Sequence, residues 1–172
     1  MHKALGIIIV FFSCVIFSFI KGEELKTKIN NLREIKKALF LIKNELSFSN
    51  KELSYALSEV SKNVSGDVSK FFGYISDELT KDKGKSFRQA YIDAKENINK
   101  DCFLSKEAER IVDAFSTSVG KMSREAEIEN IDKAIVDLEQ VLTCENENFL
   151  KTKKLIYSAG VGIGSAVVIL FI

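Results

Sequence analysis

The chain carries few side chains able to do chemistry in concert. Its one histidine is His2, which leaves the interior of the chain without a Ser–His–Asp triad, a Cys–His pair or a histidine-containing zinc site. Cys14, Cys102 and Cys144 are far apart and show no CxxC spacing, so they form neither a disulfide framework nor a ligand set. They read as reduced packing residues. Lys83-Gly84-Lys85-Ser86 has the end of a phosphate-cradling loop without the rest of it or the strand that should precede it. Carboxylates pair often, Glu145 with Glu147 and Glu127 with Asp132, but solvated helix faces produce such pairs and nothing marks these as buried acid–base partners. The chemistry these residues can support is not catalysis, and neither cofactor nor metal is expected.

Two spacings point to contacts instead. Gly160 and Gly164 stand four apart, and Gly162 with Ala166 repeats the step one ridge over. Small residues at that interval cut a groove into a membrane helix, so that another backbone can approach and pack by dispersion. The second is the polar link from Gly120 through Glu127, which contains Lys121, Arg124, Glu125 and Glu127. Taken alone it is a helix stop, a Ser123 cap and a charged first turn. An exposed Arg124 held by Glu125 or Glu127 would contribute little to stability.

Both features depend on what positions them. The chain has 172 residues with 25 Lys+Arg and 24 Asp+Glu, a net charge of +1. Setting Lys3 aside leaves 24 residues of each sign, all between Lys21 and Lys154. The molecule is thus two apolar ends around a neutral, charge-dense middle long enough for one domain. That neutrality argues against nucleic-acid binding, which needs a basic surplus. With no Pro, no Trp and 9 Gly, an all-β sandwich with many tight turns is also disfavoured.

Residues 4–20 form an uncharged run of 17 residues, flanked by Lys3 and Lys21. As a helix the run reaches roughly 25 Å, a little short of the ~30 Å hydrocarbon layer, a mismatch that lysine snorkelling and local thinning absorb. A cleaved signal peptide is disfavoured because Ser18-Phe19-Ile20-Lys21-Gly22 lacks the small residues of a cleavage site. Residues 155–172 form a second uncharged run of 18 residues, preceded by Lys151, Lys153 and Lys154. Two transmembrane helices are therefore expected, at 4–20 and 155–172, around a domain at 21–154. Lys21, Lys26, Lys28, Arg33, Lys36 and Lys37 follow the first run, and only Lys3 precedes it. By the positive-inside bias both spans put the middle in the cytoplasm.

Within the middle, helix follows helix. Leu32, Ile35, Leu39, Ile42 and Leu46 recur at three- and four-residue steps, making one apolar stripe. Ser49-Asn50-Lys51-Glu52 has capping-box spacing ahead of Leu53, Ala56, Leu57 and Val60. A third helix carries Val68, Phe71, Phe72, Ile75 and Leu79 after a turn at Ser65-Gly66-Asp67; a fourth, opened by Ser86, carries Phe87, Ala90, Tyr91, Ala94 and Ile98. Ser105 caps a fifth with Ala108, Ile111, Val112, Phe115 and Val119 inward, and Gly120 supplies its left-handed stop. The last helix runs from about Arg124, through Ile128, Ile131, Ile135, Leu138, Leu142 and Phe149, into the second uncharged run. Burying one stripe from each gives an all-α bundle of about six helices, flanked by the N- and C-terminal transmembrane helices. The aromatic residues sit at core spacing and read as core, not as a cofactor pocket.

The order of these segments resembles the stage III sporulation protein AB family of endospore-forming bacteria. The residues that carry the resemblance are Leu32-Arg33-Glu34-Ile35 through Leu46-Ser47-Phe48, Ser54-Tyr55-Ala56-Leu57, and Phe115 with Val119-Gly120, Arg124-Glu125 and Ile128. Lys153 through Gly164, the basic-to-glycine entry of the last span, carries it too. The family's Pro at the second helix is missing, Ser123 stands where Asp is usual, and Glu127 stands near an expected Gln.

The resemblance implies a non-enzymatic platform or scaffold subunit of the secretion-like channel complex built between mother cell and forespore, required for endospore formation. The family's domain is similar to the cytoplasmic domains of type II secretion and type IV pilus platform proteins. The implied partners are the other membrane proteins of the stage III sporulation A operon and the cytoplasmic motor ATPase of the same complex, with a homo-oligomer also open. Lys121, Arg124, Glu125 and Glu127 become the candidate partner-contact link. The implied location is the cell membrane, with the central domain on the mother-cell side of the outer forespore membrane. A generic membrane-tethered adaptor or receptor unrelated to secretion is the alternative, and a small enzyme using surface carboxylates is the third reading.

Overall fold

The computed structural model describes the backbone of residues 2–48, 52–82, 84–97, 103–121 and 123–171. Within its two terminal helices the side chains of 2–12, 14, 15, 18, 157, 160, 161 and 163–171 lie outside the described residues. The elements are α1 (His2–Phe48), α2 (Leu53–Asn63), α3 (Gly66–Lys81), α4 (Phe87–Glu96), α5 (Lys106–Ser118) and α6 (Arg124–Phe171). Six helices and no strand among the described residues agree with the all-α expectation. The chain divides into two compact units: one is Lys28–Thr143, the other joins Met1–Thr27 to Cys144–Ile172.

In the unit Lys28–Thr143 the predicted stripes become the core. Leu32, Ile35, Leu39 and Ile42 of α1 are buried with Ala56, Leu57 and Val60 of α2, and with Val68, Phe71, Phe72 and Ile75 of α3. Phe87, Ala90, Tyr91 and Ala94 of α4, Ala108, Val112 and Phe115 of α5, and Ile131, Leu138 and Leu142 of α6 complete it. A fully buried Leu, Ile or Phe is worth about 1.5–3 kcal/mol over an exposed one, so this one core dominates the unit's stability. Phe71 is its aromatic centre, edge-on to Phe72 and to Tyr91 at centroid distances of 5.4 and 5.6 Å. Edge-to-face geometry suits the ring quadrupoles. Leu46, Leu79, Ile111, Val119, Ile128 and Ile135, all expected inward, are half-buried at the margins.

Helix ends follow the caps with two exceptions. Ser86 and Gln89 form a reciprocal capping box, and Ser105 accepts from the Ala108 N–H at 3.3 Å. Gly120, at φ +78, closes α5 in the left-handed region that glycine enters without a Cβ clash. The capping box expected at Ser49 is a correction. Residues 49–51 lie outside the described residues, and α2 begins at Leu53 with Glu52 as an N-cap that makes no side-chain cap bond. Its carbonyl receives the Tyr55 and Ala56 N–H groups, so backbone turns replace the box. Ser65 likewise precedes α3 without a side-chain cap; its N–H donates to Glu34 Oε2 at 2.9 Å, tying that turn to α1. Ile98 and Lys83 lie outside the described residues.

The second unit holds the outer parts of α1 and α6. Lys21 pairs with Glu24 at 2.8 Å and Lys26 with Glu23 at 3.4 Å, while Lys153 lies 5.7 Å from the Phe149 ring centre. Among the described residues no helix is long and apolar enough to cross a membrane. Most side chains of 4–20 and 155–172 fall outside those residues.

Candidate functional site

The polar link is built from the end of α5 and the first turn of α6. Gly120 reverses the chain, the Ser123 hydroxyl receives the Ala126 N–H at 3.4 Å, and the Glu127 N–H returns to the Ser123 carbonyl at 2.9 Å. Glu127 Oε1, from the first turn of α6, then accepts the Gly120 N–H at 2.6 Å and satisfies an amide of the turn that follows α5. Asn130 reaches back too, its side-chain amide donating to the Ser118 hydroxyl. Arg124 donates to the carbonyl of Leu46 near the end of α1, a different anchor from the Glu125 or Glu127 pairing the spacing suggested. Lys121 and Glu125 are exposed. Of the four residues expected to form one contact surface, Glu127 and Arg124 brace the fold and Lys121 and Glu125 face solvent. A narrow apolar cleft beside them, lined by Leu46, Phe87, Phe115 and Ile131, has room for about one water molecule.

Of the expected glycine groove, Gly162 is exposed with open space where a Cβ would stand. Gly160, Gly164 and Ala166 lie outside the residues whose surroundings are described.

Periodicity did not find the polar network between α4 and α5. Tyr91 is buried and its hydroxyl donates to Asp113 Oδ1 at 2.6 Å. Lys95 contacts Glu109 at 2.5 Å and Asp113 at 3.3 Å, and Arg88 donates to the Asp113 carbonyl at 3.0 Å and to the buried Ser116 hydroxyl. Burial, then the Asp113 carboxylate, pushes the Tyr91 phenol well above its ordinary range. Burial pulls Lys95 down, but its Glu109 and Asp113 contacts outweigh that and hold it above the usual lysine value. Lys85 forms a second knot, 2.6 Å from Asp93 and 2.5 Å from Glu78. Hydrogen bonding to Asp93 and then Glu78 raises Lys85, and the Lys85 contact lowers Glu78. Each carboxylate is matched by a cation at a helix–helix contact, an arrangement that clamps helices. Among the described residues no group of three or more His, Cys, Asp or Glu is placed to hold a metal ion.

The model of the stage III sporulation protein AB family matches residues 3–172 of the chain. A solved structure of a stage III sporulation protein AB superposes with a TM-score of 0.66 at 20% identity, over 72% of this chain and 97% of that one, a likeness of fold. No curated protein matches the chain.

Proposed function

From the premise that the chain belongs to the stage III sporulation protein AB family, we propose that it is a non-enzymatic platform subunit of the sporulation channel complex. In this reading it is anchored by two membrane spans and holds its helical bundle in the mother-cell cytoplasm. There the bundle meets a motor ATPase, and the spans meet the other membrane proteins of the stage III A operon.

The family match is the observation that carries the reading, because at 3–172 it takes in both uncharged runs as well as the bundle. Charge supports the membrane part. Lys21 and Lys154 are the first charges met on leaving either run toward the middle, which is the asymmetry that retains a domain on the cytoplasmic side. A bundle whose helices are clamped to one another by ion pairs suits transmission of position between partners.

The test uses the exposed Cys144. In a Cys14→Ser, Cys102→Ser chain, a membrane-impermeant maleimide should leave Cys144 unlabelled in intact protoplasts and label it after permeabilisation. Labelling of intact protoplasts would overturn the orientation. Mild-detergent purification from sporulating cells should recover the ATPase and operon membrane proteins with the chain; recovery of the chain alone would overturn the platform role.

A further inference from the structure

Charge is ordered along the last turns of α6 before its uncharged run. Glu145 and Glu147 stand on the bundle side, then come Lys151, Lys153 and Lys154, and no acidic side chain follows. All three lysines are exposed. Lys153 lies 5.7 Å from the Phe149 ring centre. Neither acid, nor Lys151, nor Lys154, makes an ion pair among the described residues. On α1 the charges next to the other run are paired with each other, Lys21 with Glu24 at 2.8 Å and Lys26 with Glu23 at 3.4 Å.

The height of the α6 lysines matters as much as their sign. As a helix, residues 151–154 cover about 6 Å. The headgroup layer outside each face of the hydrocarbon is roughly 5–7 Å deep. Around a span that begins at Leu155, the phosphates of one leaflet therefore fall at the level of these lysines. Helical side chains lean toward the helix N-terminus, which on α6 carries the lysine heads away from the hydrocarbon and into that layer. Apolar surface at the same end is bare. Leu155 is 68% exposed, and Phe17, Phe19 and Ile20, which close the uncharged run of α1, are each at least half exposed. Such surface calls for an apolar surrounding, and acyl chains lying under the phosphates supply it.

We propose, on the two-span reading above, that Lys151 and Lys154, flanked by Lys153, seat an anionic phospholipid. Its phosphate lies between the lysine heads and its acyl chains run along Leu155. Phosphatidylglycerol leaves its phosphate charge open to the lysines, whereas the choline of phosphatidylcholine neutralises it within the headgroup. A juxtamembrane lysine near an anionic surface strengthens binding roughly fivefold, so the pair sets a lipid preference and the apolar run does the anchoring. A protein carboxylate is the weaker occupant, because phosphates stand at this level around every copy of the span and a protein would have to displace them.

The test gives the full chain, purified in mild detergent, mixed micelles with equal phosphatidylglycerol and phosphatidylcholine, and counts the retained lipids by native mass spectrometry. Phosphatidylglycerol should be retained in preference, and Lys151→Gln, Lys154→Gln should lower the ratio about tenfold or more. Lys151→Arg, Lys154→Arg should keep it. Lys106→Gln, Arg110→Gln, which removes two exposed charges of α5, should leave it unchanged. Thermal unfolding of all three variants should match the parent. No preference in the parent, an equal loss in the α5 variant, or displacement of the lipid by inorganic phosphate would overturn the proposal. An alkaline carbonate wash of cell membranes separates the lipid seat from the two-span reading. A chain that stays in the membrane but shows no lipid preference would overturn the seat alone; release of the chain would overturn the two-span reading and the seat with it.

Discussion

The Tyr91 hydroxyl on α4 donates to Asp113 Oδ1 on α5 over 2.6 Å, inside a ring of charge completed by Lys95, Glu109 and Arg88. The phenol is buried, and its ring packs edge-on against Phe71 in the core. Tyr91→Phe keeps the packing and removes one hydrogen bond, leaving Asp113 with Lys95, so urea unfolding of the detergent-solubilised chain should show a loss of about 1 kcal/mol. Tyr91→Ala also removes the ring and should cost about 3–5 kcal/mol. Equal losses in the two variants would mean that the hydrogen bond, not the ring, dominates the site.

Alkaline stability follows from the same residue. Burial and then Asp113 raise the folded Tyr91 pKa above the ordinary 10.0. Between the two values the folded chain keeps a proton that the unfolded chain has released. Its contribution is therefore whole below about pH 10 and declines as pH rises, by up to about 1.4 kcal/mol per pH unit for that one proton. Lys85 and Lys95 are also raised and act in the same direction. Unfolding midpoints measured from pH 9 to 11 should fall more steeply for the parent than for Tyr91→Phe. Parallel curves would show that the phenol is not held protonated by its surroundings.

The bundle was legible because burial obeys a period, and polar clamps do not. Leu32, Ile35, Leu39 and Ile42 repeat at helical steps and all fall inside. Ser86, Ser105 and Gly120 announce helix ends because each satisfies a backbone need that few other residues meet. Residues far apart in sequence were not legible. Asn31 is buried and donates to the Phe103 carbonyl at 3.0 Å, and its place on the inward face of α1, four before Ile35, was the one signal for it. The Arg124 anchor on Leu46 spans 78 positions, and no local rule reaches so far. The link at Gly120–Glu127 was visible as polar and compact, but which of its residues brace and which face outward depended on neighbours the spacing does not reveal.

Gly66 and Gly120 offer a test of backbone conformation free of packing. Their φ values are +64 and +78, and a Cβ on either would meet nothing within 4 Å. Any cost of Gly66→Ala or Gly120→Ala therefore comes from the left-handed backbone, roughly 1–2 kcal/mol each. Asn tolerates that region better than Ala, so Gly120→Asn should recover part of the loss and Gly120→Val should be worst. Differential scanning calorimetry of the four variants checks the order. A stabilised Gly120→Ala would mean that the α5–α6 turn has another conformation.

The seam between α1 and α6 separates an ion pair's charge from its role in register. Lys43 and Asp132 are 2.6 Å apart, with Lys43 29% and Asp132 49% exposed. Solvent screens such a pair, which should contribute no more than about 1 kcal/mol. Lys43→Met and Asp132→Asn should each be mild, and a double-mutant cycle should return a coupling of about 0.2–1 kcal/mol that shrinks in high salt. Lys43→Asp places two acids together and should destabilise more than Lys43→Met. The swapped pair, Lys43→Asp with Asp132→Lys, should recover most of that loss if the two side chains meet as described. No recovery in the swap would show that they are not partners.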